Sequence, residues 1–214
     1  MKYLIILFVL IGCTTYGQDA TRFASDVAAI QKKYDTLLDS SKETYVFTGS
    51  SSIRMWKDLS SRFPKNQIVN SGFGGSQASD LLVYLDQLVL NYKPKKVFIY
   101  EGDNDISAKK TSKEIIATTT EIINKIRLKN PNTQVVLIAA KPSISRWNLK
   151  RDYKKLNRKF KKLSRKDPLT DFADVWKPMI YKKNVLQDIF IEDGLHMNAK
   201  GYNLWYEVIK NHLP

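Results

Sequence analysis

The chain is 214 residues long, 43% apolar and 26% charged, the composition of an ordinary globular protein, and long enough for one domain with a sizeable core. Two histidines exclude a histidine-rich metal site, and one cysteine excludes an internal disulfide, so stability must come from the core. The formal charge of +14 directs attention to anionic partners, although no nucleic-acid motif accompanies it and none is expected to bind.

Met1-Lys2, an apolar run over 3–12, and Cys13-Thr14-Thr15-Tyr16-Gly17-Gln18 read as a secretory leader over 1–18. The apolar run is too short to span a bilayer permanently. Leu10-Ile11-Gly12-Cys13 resembles the lipobox of bacterial lipoproteins, in which the cysteine becomes the lipidated first residue. Cleavage after Gly17 or Gln18 is the alternative. Either route exports the protein from the cytoplasm, as a periplasmic, secreted or lipid-anchored species, and leaves a single domain over 19–214.

Phe23, Val27, Ile30, Tyr34 and Leu37 repeat at helical spacing and predict a helix over 20–40. A strand over 45–48 follows and runs into Gly49-Ser50-Ser51-Ser52, then a helix over 53–63 stopped by Pro64. A short strand over 67–70 enters the loop Ser71-Gly72-Phe73-Gly74-Gly75-Ser76. A helix over 78–92 leads to a strand over 96–100 that ends in Glu101-Gly102-Asp103-Asn104-Asp105. Beyond it come a helix over 111–129, a central strand over 134–140, a basic helix over 148–166, a weaker strand over 170–175, an irregular stretch over 181–191 and a terminal helix over 198–211. Strands alternating with helices predict an α/β fold, a mostly parallel five-stranded sheet covered on both faces as a three-layer α/β/α sandwich. Right-handed crossovers then bring the serines, the glycine loop and the 102–105 loop to one sheet edge.

A hydroxyl at such an edge, at a helix start, sits where free N–H groups favour developing negative charge. Any of Ser50, Ser51 and Ser52 could serve as nucleophile on this reasoning. A base near pH 7 must be one of the two histidines; His212 lies three residues from the C-terminus and reads as surface, whereas His196 follows Asp193-Gly194-Leu195, a carboxylate placed to fold back onto the imidazole. Asp193 and His196 could equally be a loop and cap pair. Gly74-Gly75 can turn backbone N–H groups into the site, or form a plain turn, and Asn104 can offer a side-chain amide or cap a helix.

Together these segments resemble the GDSL-type (SGNH) hydrolase family. Phe47-Thr48-Gly49-Ser50-Ser51, Asn70-Ser71-Gly72-Phe73-Gly74-Gly75, Gly102-Asp103-Asn104-Asp105 and Asp193-Gly194-Leu195-His196 match its sequence blocks in order. The resemblance implies a flavodoxin-like sheet, Ser51 as nucleophile, and a Ser51-His196-Asp193 triad. It also implies an oxyanion hole of the Ser51 and Gly75 N–H groups and the Asn104 amide, with no metal or organic cofactor. Ser50 departs from the family name, which has aspartate there. Lys141-Pro142-Ser143 and Arg146-Trp147 look like a subgroup of the family, with Arg146 either meeting substrate or capping a loop. The expected activity is hydrolysis of O-acyl esters on carbohydrates, glycans or lipids, with short acyl groups on a carbohydrate favoured. The alternative is a catalytically weak or inactive binding protein on the same scaffold, docking by the basic helix to an anionic cell-surface polymer or membrane. In that helix Leu149, Tyr153, Leu156, Phe160 and Leu163 form one apolar stripe amid lysines and arginines, which reads either as a solvated outer face or as a contact surface.

Overall fold

The computed structural model describes residues 19–214, so the leader and Cys13 lie outside the described residues. Five strands, β1 (Thr44–Gly49), β2 (Gln67–Gly72), β3 (Lys96–Tyr100), β4 (Gln134–Ile138) and β5 (Thr170–Ala173), form a wholly parallel sheet in the order β2-β1-β3-β4-β5. This is the expected α/β architecture. All strand C-termini lie on one edge, and β1, which leads to the serines, sits between β2 and β3.

Alternation along the strands divides the core. Val46, Val69, Val97, Ile99, Val135 and Leu137 face one side, where they meet α1 (Ala24–Tyr34), α4 (Ala78–Val83), α5 (Leu85–Leu88), α7 (Ser112–Lys129) and α8 (Lys150–Ser164). Tyr45, Phe47, Ile68, Phe98, Tyr100 and Val136 face the other, against α2 (Ser51–Arg54), α3 (Leu59–Arg62) and α9 (Ala199–Ile209). Trp56, Trp205 and Tyr100 are fully buried there: Trp56 stacks on Tyr202, and Trp205 meets Trp56 edge-on and Tyr100 at a tilt. α6 (Asp103–Ser107) is a short helix at the end of β3, in the stretch the sequence suggests is a loop.

Several helices are shorter than their periodicity predicts. The expected helix over 53–63 is two short ones, α2 and α3, with Trp56 between them and Leu59 both inward, each 1% exposed. The expected helix over 78–92 breaks at Tyr84 and ends in a 3₁₀ turn, Leu90–Tyr92, which lets the consecutive Leu88 and Val89 both reach the core. Helix α1 stops at Tyr34, leaving Leu37 exposed. The stretch 181–191 opens within a small hairpin of β6 (Ile180–Tyr181) and β7 (Asn184–Val185), turned by Lys182 and Lys183 at positive φ. The long helix α7 does follow its pattern: Thr111 and Glu114 form a capping box at its start. Among the described residues no helix is long and apolar enough to cross a membrane.

Candidate active site

The serine turn is built by close approach of two strands. Gly49 has φ +121°, and a Cβ on it would lie 2.0 Å from the Tyr100 carbonyl oxygen. That oxygen accepts from the Ser50 amide at 3.1 Å, so the end of β3 holds the turn in place. Ser50, Ser51 and Ser52 then point differently. Ser50 and Ser52 are buried, and only Ser51 is partly exposed. Ser50, where the resembling family has aspartate, makes no side-chain cap bond.

A helix as short as α2 is not stable alone and needs tertiary partners for its carbonyls. Tyr202 on α9 donates to the Ser52 oxygen at 2.9 Å, and Asn70 on β2 donates to the Ile53 oxygen at 2.8 Å. Gly72 permits this contact, since a Cβ there would meet the Arg54 amide nitrogen at 2.4 Å. Among the described residues, the amides of Ser51 and Gly75 donate to no acceptor in the protein.

Ser51 Oγ lies 2.9 Å from His196 Nε2. On the other side of the ring, Nδ1 lies 2.5 Å from Asp193 Oδ2. Asp193 Oδ1 accepts from the amides of Leu195 and His196, each at 2.8 Å, so the carboxylate is held by its own loop. Partial burial pushes its carboxyl up, but the His196 ring and these amides outweigh that and leave its pKa at about 2. The loop is fixed further by Ile144 and Ser145, whose amides donate to the Gly194 oxygen, and by Lys141, whose Nζ donates to the Leu195 oxygen at 2.6 Å.

Asn104, in α6, donates through Nδ2 to the Ser76 oxygen at 2.8 Å and accepts through Oδ1 from Arg146 Nη1 at 3.1 Å. The two contacts fix which way the amide faces and leave one N–H uncommitted. Arg146 also reaches Asp103 Oδ1 at 2.5 Å, so its guanidinium is engaged by the protein on the side that faces Asn104. Gly75 has φ +83° with open space where a Cβ would stand. Ser76, beside it, donates to the buried Glu101 at 2.7 Å. Burial and the nearby Asp105 push the Glu101 carboxyl well above the usual range.

The structure therefore brings Ser51, His196, Asp193, Gly75 and Asn104 to one sheet edge, with Arg146 behind Asn104. His212 is elsewhere: its ring meets Asp171 at 2.7 Å and its carbonyl accepts from Lys96, tying down the C-terminus. Glu101, Asp103 and Lys141 were not singled out in the sequence as site residues. The signal was available, because each is a charged residue within three positions of the end of an apolar run. A hollow of about 640 Å³ opens at the opposite edge, but its Glu43 and Lys95 pair with each other and it adjoins none of these groups. Among the described residues no group of three or more His, Cys, Asp or Glu is arranged to hold a metal ion.

Comparison with known proteins agrees with this fold. The model of the GDSL-like Lipase/Acylhydrolase family matches residues 16–204. No curated protein matches the chain at a significant level. Among solved structures, a Streptococcus pneumonia protein provisionally described as a platelet activating factor superposes with a TM-score of 0.78 at 22% identity, covering 91% of this chain and 95% of that one. A GDSL-like lipase from Bacteroides thetaiotaomicron gives 0.73 at 19% identity, covering 91% and 96%. A family 3 carbohydrate esterase from Talaromyces cellulolyticus gives 0.63 at 19% identity, covering 80% and 96%. At these identities the likeness speaks to the fold.

Proposed function

The chain belongs to the GDSL-like lipase/acylhydrolase family, whose members hydrolyse esters, and on that footing we propose that it is a serine esterase acting through Ser51, His196 and Asp193. The observation that carries the reading is the relay from the Ser51 hydroxyl through the His196 ring to the Asp193 carboxylate, at 2.9 and 2.5 Å. His196 Nε2 takes the Ser51 proton as Oγ attacks the ester carbonyl, and Asp193 stabilises the imidazolium that forms. The oxyanion is received by the Ser51 and Gly75 amides and the free N–H of Asn104. The imidazolium then protonates the leaving alcohol. Water, deprotonated by the same ring, attacks the acyl-enzyme and releases the acid.

Short acyl groups on a carbohydrate suit an open site: the Asp193 side chain is 42% exposed, and Ile144 and Ile191 stand exposed on the rim of the His196 loop. The carbohydrate esterase among the structural neighbours favours the same class. Turnover of 4-nitrophenyl esters of increasing chain length, acetylated sugars and lysophospholipids tests this. Preference for acetyl sugars supports it; no turnover of any ester by folded protein overturns the esterase reading. Export by residues 1–18 belongs to the same proposal, and the mass of the mature chain separates a lipidated Cys13 from cleavage after Gly17 or Gln18.

We also propose that α8 contacts an anionic polymer. Arg151, Lys155, Arg158, Lys162 and Arg165 are exposed along one helix face, and none of them pairs with a carboxylate among the described residues. Some exposed cations elsewhere do pair, as in Lys125 with Glu121 and Lys200 with Asp188. Like charges one turn apart cost each helix pair ~0.2–0.5 kcal/mol. The apolar stripe of α8 is spent on the core, with Tyr153, Leu156 and Phe160 buried, which favours a soluble polyanion over a bilayer. Retention on polygalacturonate, weakened by salt and by replacing Arg151, Lys155, Arg158 and Lys162 with Gln, tests this. Equal retention of that variant, or stronger binding to anionic vesicles, overturns it.

A further inference from the structure

Asp103 and Lys141 take no part in the relay, yet both are buried charges beside it, 5% and 1% exposed. Charges are buried at heavy cost unless partners surround them. Asp103 accepts from Tyr100 at 3.0 Å, from Arg146 at 2.5 Å and from the Tyr153 hydroxyl, with Lys141 Nζ at 3.7 Å. Burial pushes its carboxyl up, and Lys141 and Arg146 outweigh that, so it stays ionised.

Each of the two cations reaches from Asp103 to a different half of the site. Arg146 holds Asn104 Oδ1 at 3.1 Å, which turns one amide N–H to the Ser76 oxygen and leaves the other for the substrate oxyanion. Lys141 holds the carbonyl of Leu195, the residue before His196, at 2.6 Å. One carboxylate thus stands behind both the oxyanion amide and the imidazole, which come from segments far apart in the chain. We propose that Asp103 and Lys141 are positioning residues that set the separation between Asn104 and His196. The inference rests on the esterase reading above.

A fold-stabilising role would lower the melting temperature alone. A positioning role lowers kcat with KM little changed, because misplacement of a reacting group by about 1 Å costs up to ~10²-fold in rate. Charge adds a second readout. Of the charged groups near His196, Asp193 and Glu192 lie on its own loop, Lys141 from the loop after β4 meets the carbonyl before it, and Asp103 and Arg146 stand behind Lys141 and Asn104. Removing a cation there moves the acid limb of kcat/KM to higher pH, and removing an anion moves it to lower pH.

The test is hydrolysis of 4-nitrophenyl acetate by Lys141→Met, Asp103→Asn and Tyr153→Phe, with melting temperatures measured in parallel. The expected result is a kcat loss of ~10-fold or more for the two charge variants, with KM within ~2-fold and limbs moving in opposite directions. Tyr153→Phe keeps every charge and takes one hydroxyl from Asp103; it decides the matter if the charge variants do not fold, with an expected ~3-fold loss of kcat. Wild-type kcat in folded Tyr153→Phe, unmoved limbs, or losses that only track the unfolded fraction overturn the inference. Active wild type with unaffected variants removes this inference alone; an inactive wild type removes the esterase reading and this inference with it.

Discussion

Ser51 Oγ and His196 Nε2, separated by 145 positions in the chain, lie 2.9 Å apart. The contact requires two independent anchors. Tyr202 and Asn70 hold α2, which begins with Ser51, while Ile144, Ser145 and Lys141 hold the loop of His196. Ser51→Ala is expected to lower kcat for 4-nitrophenyl acetate by ~10⁴-fold or more, with the melting temperature little changed. Ser50→Ala and Ser52→Ala are expected to retain turnover, because their side chains are buried away from the ring. Activity lost in either of those variants and kept in Ser51→Ala would assign the nucleophile elsewhere.

Asn104 has one amide N–H committed to Ser76 and its oxygen committed to Arg146. Its remaining N–H gains strength as negative charge develops on the substrate oxygen. Asn104→Ala is therefore expected to raise the barrier by ~2.7–4 kcal/mol, a loss of ~10²–10³ in kcat, with KM nearly constant. A wild-type kcat removes Asn104 from the mechanism.

Glu101 makes a pH-dependent contribution whose sign is unusual for a carboxyl. Burial, with Asp105 nearby, raises its folded-state pKa above the unfolded value. The folded protein therefore keeps a proton that the unfolded chain releases above the ordinary carboxyl range, and stability falls as pH rises from there toward the folded value. Glu101→Gln keeps a neutral acceptor for Ser76 and carries no such proton. Its melting temperature relative to wild type is expected to improve as pH rises above the ordinary carboxyl range. A difference that stays flat, or reverses, would mean that Glu101 is ionised in the fold.

Gly49 is the position where the serine turn tolerates least. A Cβ would overlap the Tyr100 carbonyl, and φ of +121° is itself unfavourable for any other residue. Gly49→Ala is expected to destabilise the fold by on the order of 3 kcal/mol or more, measured by denaturant unfolding. Gly75→Ala meets no neighbour within 4 Å and carries only the strain of φ +83°, so its cost is expected to be ~1 kcal/mol. Equal costs at the two positions would rule out the close approach to Tyr100.

The order of elements and the class of sheet were legible in the chain because strand and helix periodicities are local. The β3 run Lys96–Tyr100 is found as its pattern predicts, and the serine, glycine, Asn104 and His196 segments all meet at the edge that parallel topology dictates. Helix lengths were less legible. Leucines in a row satisfy a helical pattern equally well whether the helix is continuous or broken at Tyr84, and only contact with the sheet selects the broken form. The choice of Ser51 over its neighbours was likewise beyond local reasoning, since three adjacent hydroxyls share one composition and differ only in which way the turn aims them. The same holds for the charges behind the site. Asp103 lies after β3 while Lys141 and Arg146 lie in the loop after β4, and their partnership is decided by the packing of α6 and α8 against the ends of those strands, where a buried charge must find an opposite one.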